Sequence, residues 1–529
     1  MESRIRGNDD ASRTPGQGPG LLLIVSCLSV ETSSRPYGLL SLISRLSVET
    51  SSRPYGLLSL VSRSRLRLAP TVSCLSSLVT CAMFIRSISG LRATLGDDLT
   101  PDVVARYAVA FSAVLPEGPI VVGRDGRPSG LWMEQVLIGA LRACGRTVRQ
   151  LGMVPTPTVQ LLTEHSDAVG GIAITASHNP APWNGLKFVD AGGVFLDAEG
   201  NQKLWDAVDH HAATLSPAQQ SGSLEIVDDA NEQHVRRVLA LAAVADAPPA
   251  NGETVVVDAV NCSGSFIVPM LLERMGYHVV RLYADGSGVF PHTPEPLTEN
   301  LTDLGRAVVE HGAVFGVAVD PDADRLVLFD RHGVAIGEER TVALAARAVL
   351  SAGHLGPVVV NFSTSRMVDD VAGEFGQHVE RAPVGEINVV RHMQRIDAVI
   401  GGEGSGGVIY PACHSGRDSI VGLALISAML RKNGKHLDDV CRLTPSYTMI
   451  KTKFDLASRS DMHPVTERIL QVFAEHVSST DDGIYLRWDN SWAHVRASNT
   501  EPIMRVIAEA PSQDQAQALV ESITALVHG

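Results

Sequence analysis

From Met83 onward the chain alternates short β-branched apolar runs with helical patterning, and this alternation restricts it to layered α/β architecture. Pro119–Gly123, Gly170–Thr175, Thr254–Val260, Val317–Asp320, Pro357–Asn361 and Ala398–Gly401 read as buried strands. Met133–Cys144, Phe266–Met275 and Thr341–Leu350 carry the helical pattern between them. At 529 residues the chain exceeds what one compact core serves, so several domains are expected. Polar or Pro/Gly-bearing breaks between Gln219 and Glu253, at Gly333–Glu339 and at Lys432–Asp438 divide it into 83–235, 236–335, 336–441 and 442–529. The last of these, with TMIKTKFDL, GIYLRWD and AHVRAS ahead of a helical stretch to Val527, reads as a small α+β unit.

Residues 1–82 are a different text. LSVETSSRPYGLLSLISR at 28–45 recurs at 46–63 with only Ile43 changed to Val61. This segment holds nine Arg, five acids and neither Lys nor His, a net charge of +4 against −18 for the remainder. The apolar stretch Leu21–Val30 is too short to span a bilayer, and Glu2, Asp9 and Asp10 precede it where a secretory signal carries positive charge. The segment reads as unstructured: a translation start set upstream of Met83, or an unselected extension with an internal duplication. A disordered natural extension and a targeting segment are the competing readings.

Composition narrows the function. A net charge of −14 and 5% aromatic residues argue against duplex binding and against base-stacking platforms, so no nucleic-acid partner is expected. No membrane association and no obligatory protein partner are evident either. The seven cysteines are dispersed without a CxxC pair, which suits a reducing, cytoplasmic setting rather than a disulfide framework or zinc site.

Four loops carry the chemistry, three directly after predicted strands, where α/β sheets form ligand crevices. Ser177 lies in TASHNP, in which Asn and Pro stop regular structure and hold the hydroxyl outward on a turn. It is otherwise a plain Ser/Asn turn. A Ser-His-Asp hydrolase is disfavoured: His178 is adjacent in sequence and there is no GxSxG elbow. Downstream, Lys187 offers a cation to the same pocket. In DPDADR, Asp320, Asp322 and Asp324 converge in one loop as a hard oxygen site suited to Mg²⁺; Arg325 and Arg331 stand where an EF-hand needs Gly and Glu. GEGSGG satisfies GxGxxG, but no helix opening follows and Glu403 would repel a pyrophosphate. Glu403 and Ser405 suit sugar hydroxyls instead. Finally, RASNTEPIMR presents Arg496, Ser498, Asn499, Thr500 and Arg505 as donors for a phosphate.

In this order the four loops resemble the α-D-phosphohexomutase family, the group of phosphoglucosamine mutase, phosphomannomutase and phosphoglucomutase. SISGLR at 87–92, with Arg92, is similar to the family's opening phosphate-contacting segment, and GRDGRPS at 123–129 to its first strand-loop motif. The resemblance covers 83–529 and implies three consecutive α/β domains with mixed sheets plus a smaller C-terminal α+β domain around a central cleft. It implies that Ser177 is a phosphoserine that passes its phosphoryl group to a hexose monophosphate, through a bound 1,6-bisphosphate, and regains one. It implies one Mg²⁺ on Asp320, Asp322, Asp324 and a phosphoserine oxygen. Glucose or glucosamine 1,6-bisphosphate would be the activator, and small hexose phosphates the partners. Arg92, Lys187 and Arg325 would assist the transfer, with Glu403 and Ser405 on the sugar and Arg496, Ser498, Asn499, Thr500 and Arg505 on the distal phosphate. Phosphoglucosamine mutase is the expected member. Phosphomannomutase or phosphoglucomutase, a metal-dependent phosphatase and a non-catalytic sugar-phosphate sensor are the alternatives. One departure stands out: some members carry His where this chain has Gly407. Lys187 is then a candidate for moving the hydroxyl proton, with His178 and His414 as weaker ones.

Overall fold

The computed structural model describes residues 85–528 apart from 97, 212–214, 216–219, 457–461 and 498–502; the 18-residue repeat lies outside these. The chain divides into two units, Met1–Ala82 and Met83–Gly529, and all four sheets belong to the second.

The first sheet has seven strands: β1 (Ile85–Ser87), β2 (Gly90–Thr94), β3 (Ile120–Arg124), β4 (Val148–Met153), β5 (Gly170–Ile174), β6 (Trp183–Asp190) and β7 (Leu224–Ile226), ordered β1-β2-β6-β5-β3-β4-β7. Helices α1 (Pro101–Val114), α2 (Gly130–Ala143), α3 (Thr156–Glu164) and α4 (Ala198–Asp209) connect its strands. Helices α5 (Ala230–Leu239) and α6 (Ala242–Ala245) lead into the second sheet, ordered β11-β10-β8-β9. Its strands are β8 (Thr254–Asp258), β9 (His278–Tyr283), β10 (Phe315–Val319) and β11 (Leu326–Asp330), with α7 (Gly264–Arg274) and α8 (Thr302–Glu310) between them. The third, β13-β12-β14-β15, is built from β12 (Val358–Asn361), β13 (Val379–Ala382), β14 (Ile400–Glu403) and β15 (Gly407–Ile409). Its helices are α9 (Glu338–Ser351), α10 (Met367–Glu374), α11 (Glu386–Ile396), α12 (Ser419–Asn433) and α13 (Leu437–Cys441). The fourth sheet is wholly antiparallel, β16-β20-β19-β18-β17: β16 (Thr448–Asp455), β17 (Val477–Ser479), β18 (Ile484–Arg487), β19 (Trp492–Ala497) and β20 (Ile503–Ala510). Helices α14 (Met462–Val472) and α15 (Gln513–His528) accompany it.

The first three sheets share one device. A parallel strand ends, a short loop follows, and the chain returns antiparallel at its side: β5 to β6, β10 to β11, β14 to β15. Each loop contains a residue at positive φ: Ser177 at 50°, Ala323 at 50° and Gly406 at 88°. A loop this tight reverses direction through the left-handed region, so each one projects polar groups beyond the carboxyl end of its sheet.

The second and third sheets pack into one continuous core that includes Val255, Val317, Val358 and Ile400. Helix α12 sits in it, buried from Ser419 through Leu430, and its sequence is accordingly apolar on every face. The seven-stranded and C-terminal sheets have cores of their own. No helix among the described residues is long and apolar enough to cross a membrane.

Periodicity located the central strands within two residues or so but not the polar ones. Strand β6 buries Asn184 and Lys187 in its interior, a pattern that does not read as a strand from its sequence. Glu403 is the last residue of β14, paired across the turn with Gly407, rather than a member of the loop beyond it.

Candidate functional site

Ser177 follows β5, and its turn is gripped from below by Arg127. The Arg127 guanidinium donates to the carbonyls of Ser177 (2.5 Å), Asn179 (2.8 Å), Pro180 (3.2 Å) and Trp183 (3.3 Å), while its Nε donates to Asp125 at 3.0 Å. Asp125 also accepts from Thr175 Oγ1, which in turn accepts the Ser177 N–H. This network holds a serine in the left-handed conformation, which L-residues otherwise avoid. The side chain is not held outward in solvent: Ser177 is 1% exposed. Its Oγ faces Asp320 Oδ2 at 3.0 Å, a contact between the first and second sheets' loops. His178 does reach the serine, with Nδ1 3.2 Å from Oγ. Burial first, and then the charges of Arg325 and Arg92, draw this imidazole down to about 3, so it is neutral at physiological pH.

The three aspartates are buried, and each offers a carboxylate oxygen within 4.8 Å of the others. Asp320 Oδ1 accepts the backbone N–H groups of Asp324 and Arg325. Asp322 Oδ2 accepts from Thr156 Oγ1 at 2.7 Å and Lys187 Nζ at 2.6 Å. Asp324 Oδ2 accepts from Lys187 at 3.2 Å and Arg417 at 2.6 Å. The second oxygens, Asp322 Oδ1 and Asp324 Oδ1, are buried with no hydrogen-bond partner among the described residues. Burial and its two acidic neighbours push Asp320 well above the usual carboxylate range. Burial would lower the Lys187 ammonium, but Asp322 and Asp324 outweigh it and hold it in the charged form. Buried orphan carboxylate oxygens with a third acid driven towards neutrality describe a set of hard donors short of one cation, and Mg²⁺ suits that set.

Arg92 on β2 donates to Asn179 Oδ1 at 2.9 Å, and Arg325 lies 3.5 Å from Glu295, so both flank the Ser177 turn and the DPDADR loop. Glu403 is buried and fully engaged along one side: Oε1 accepts from Asn361 Nδ2 (2.8 Å) and the Gly385 N–H (3.0 Å), Oε2 from Arg417 (2.7 Å). About four lone-pair sites on a carboxylate leave one for a ligand. Ser405 is half-buried beside it. Arg496 donates through Nε to Asp482 at 2.8 Å, and Asp482 accepts the Val384 N–H next to Gly385, tying the C-terminal strands to the Glu403 site. Arg505 pairs with Arg496 across β19 and β20. Ser498, Asn499 and Thr500 lie outside the described residues. His414 has a different partner from the site residues: its Nε2 bonds Asp418, which caps α12 and also takes His234.

Sequence reasoning passed over Arg417, Thr156 and Glu386. Nothing local marks them, because most of their partners lie 31 to 226 residues away.

Comparison with known proteins matches the same stretches. The phosphoglucomutase/phosphomannomutase domain models match in chain order: domain I at 85–214, domain II at 232–333, domain III at 338–447 and the C-terminal domain at 466–526. A Thermococcus kodakarensis protein named phosphoglucomutase/phosphomannomutase is 35% identical over 443 residues, 82% of this chain and 96% of that protein. A Methanopyrus kandleri protein named probable phosphoglucosamine mutase is 33% identical over 447 residues, covering 83% and 96%. Among solved structures, a phosphoglucomutase/phosphomannomutase family protein from Burkholderia thailandensis superposes with a TM-score of 0.73 at 25% identity, over 84% of this chain and 98% of that one.

Proposed function

The chain belongs to the phosphoglucomutase/phosphomannomutase family and moves a phosphoryl group within hexose phosphates, and from that premise we propose that Ser177 carries the group and that glucosamine phosphate is the substrate. The observation that carries the first part is the Ser177 Oγ contact with Asp320 inside the buried acid triad. In the resting enzyme Oγ bears the phosphoryl group. The free hydroxyl of a hexose monophosphate attacks phosphorus and gives up its proton, its new O–P bond forms as the bond to Oγ breaks, Oγ takes up a proton to become the serine hydroxyl, and a 1,6-bisphosphate results. Turned over in the cleft, this returns its other phosphoryl group to Oγ. A hexose 1,6-bisphosphate from solution charges an empty Ser177 the same way, which makes it the activator.

Asp320, Asp322 and Asp324 would hold Mg²⁺, which when bound supplies positive charge against the transferring oxygens. Lys187, locked as an ammonium, and Arg325 and Arg92 add fixed positive charge around the Ser177 turn. Lys187 is thereby a poor acceptor for the attacking hydroxyl's proton, and neutral His178, with Nδ1 3.2 Å from Oγ, offers that oxygen a hydrogen bond rather than a proton as its phosphoryl group departs. Glu403, with its remaining lone-pair site, and Ser405 hold the sugar. Arg496, Ser498, Asn499, Thr500 and Arg505 hold the phosphate that is not reacting.

A carboxylate at Glu403 can pair with a 2-ammonium group, which supports glucosamine, as do the relatives named phosphoglucosamine mutase. The name of the Thermococcus relative favours a second reading, mannose or glucose phosphate. Steady-state assays of glucosamine, mannose and glucose 1-phosphates on one preparation decide between them. Glucosamine 1-phosphate should have the highest kcat/KM; a roughly tenfold advantage for either of the others would overturn the choice of substrate.

A further inference from the structure

The space beside Gly407 is occupied. A Cβ built there would lie 2.3 Å from Cδ of Arg417, 3.0 Å from its Cγ and 3.3 Å from its Nε. The Arg417 backbone is itself tied to the neighbouring strand, through an antiparallel bridge with Ile409. Positions 407 and 417 thus constrain one another: a side chain at 407 displaces the arginine, and the arginine requires glycine.

Each nitrogen of that guanidinium has its own carboxylate. Nε donates to Glu386 at 3.0 Å, Nη1 to Glu403 at 2.7 Å and Nη2 to Asp324 at 2.6 Å. The Arg417 side chain is 12% exposed and its three partners are buried. Glu386 is fixed in turn by Gln160 of α3, at 2.8 Å. A guanidinium presents its donors in a rigid planar fork and so holds three acids in set directions, whereas the three donors of an ammonium rotate about a single point charge. Asp324 is held through Oδ2, while its Oδ1 is buried without a hydrogen bond among the described residues and lies 3.9 Å from Arg325 Nε. Glu403 is held on both oxygens.

We propose that Arg417 is a positioning residue that sets the sugar-side carboxylate Glu403 and the metal-side carboxylate Asp324 in register, and that Gly407 is glycine to admit it. The inference rests on the proposed function, in which Glu403 meets the sugar and Asp324 the cation. One side chain then aims both carboxylates, so disturbing it weakens two separate binding events at once.

Arg417→Lys keeps the charge and loses the fork; Gly407→Ala keeps the arginine and pushes it aside. Both would be made in the full chain, their folding checked by circular dichroism. Two constants are read: KM for glucosamine 1-phosphate, and the affinity for Mg²⁺ alone by calorimetry on dephosphorylated protein. We expect KM to rise about tenfold and Mg²⁺ affinity to fall by more than about threefold in each folded variant, changes that a purely structural role would not produce in a folded protein. Either constant staying within about threefold of the parent's in the folded variants overturns the proposal. Should Arg417→Lys fail to fold, Gly407→Ala decides alone, since its charge complement is intact. Turnover by Ser177→Ala would strike the phosphoserine reading instead, so the two failures are distinguishable.

Discussion

Ser177 Oγ and Asp320 Oδ2 lie 3.0 Å apart, on loops that leave two different sheets 143 residues apart in the chain. The neutral hydroxyl donates to Asp320 as it stands, whereas a phosphoryl group on Oγ would add negative charge beside three acids and call for a cation there.

Ser177→Ala should abolish turnover while leaving the fold intact, because it deletes the carrier without adding bulk to a buried site. Mass spectrometry of the parent should show one phosphoryl adduct mapped to Ser177, absent in the variant. Retention of more than roughly one percent of the parent rate would point to a different carrier.

Arg127→Met should cost on the order of 3–5 kcal/mol in urea unfolding, since it leaves Asp125 buried without its cation and releases four carbonyls of the Ser177 turn. Adding Asp125→Asn should recover part of the stability but little of the activity. Full recovery of kcat in the double variant would show that the grip on the turn is dispensable.

Gly406→Ala should lower kcat/KM at least about tenfold, with a stability loss of roughly 1–3 kcal/mol. The residue has φ +88°, and a Cβ there would meet the Leu326 carbonyl at 2.5 Å, at the seam where the GEGSGG turn docks on the end of DPDADR. The crucial bond is Leu326 N–H to Gly406 O at 3.0 Å. Wild-type kinetics in the variant would mean the two loops are positioned independently.

His494 gives a pH signature. Burial outweighs its contacts and draws it down to about 4, between Ser363 and the Asp482 carbonyl. Its unfolded value is near 6.5, so between those values the unfolded chain binds the extra proton. The stability it contributes is therefore complete above pH ~6.5 and is lost as pH falls towards ~4, at most about 3 kcal/mol. His494→Asn should flatten the fall in Tm over that interval relative to the parent; parallel curves would contradict the burial argument.

Much of the site is legible in the sequence. TASHNP, DPDADR and GEGSGG announce themselves because their residues are contiguous and follow apolar strands. The interiors of β3, β5, β8, β10 and β12 are legible for the same reason, as local runs of β-branched residues. Lys187 is visible as a nearby cation, but not that two aspartates would hold it charged. Ser177 reads as an outward-facing turn residue, since a turn ordinarily lies at the surface; here a second domain closes over it.

The sequence by itself determined the layered α/β architecture and the polar motifs that follow its strands, because strand periodicity and short-range turn chemistry are local properties. Tertiary structure alone decided which groups meet. Arg417 touches Asp324 across 93 residues, Arg127 holds the Ser177 carbonyl across 50, and Lys187 reaches Asp322 across 135. Such pairings depend on how the sheets stack, and burial then sets their charge states, because in a medium poor in water each charge is governed by the partner the fold supplies.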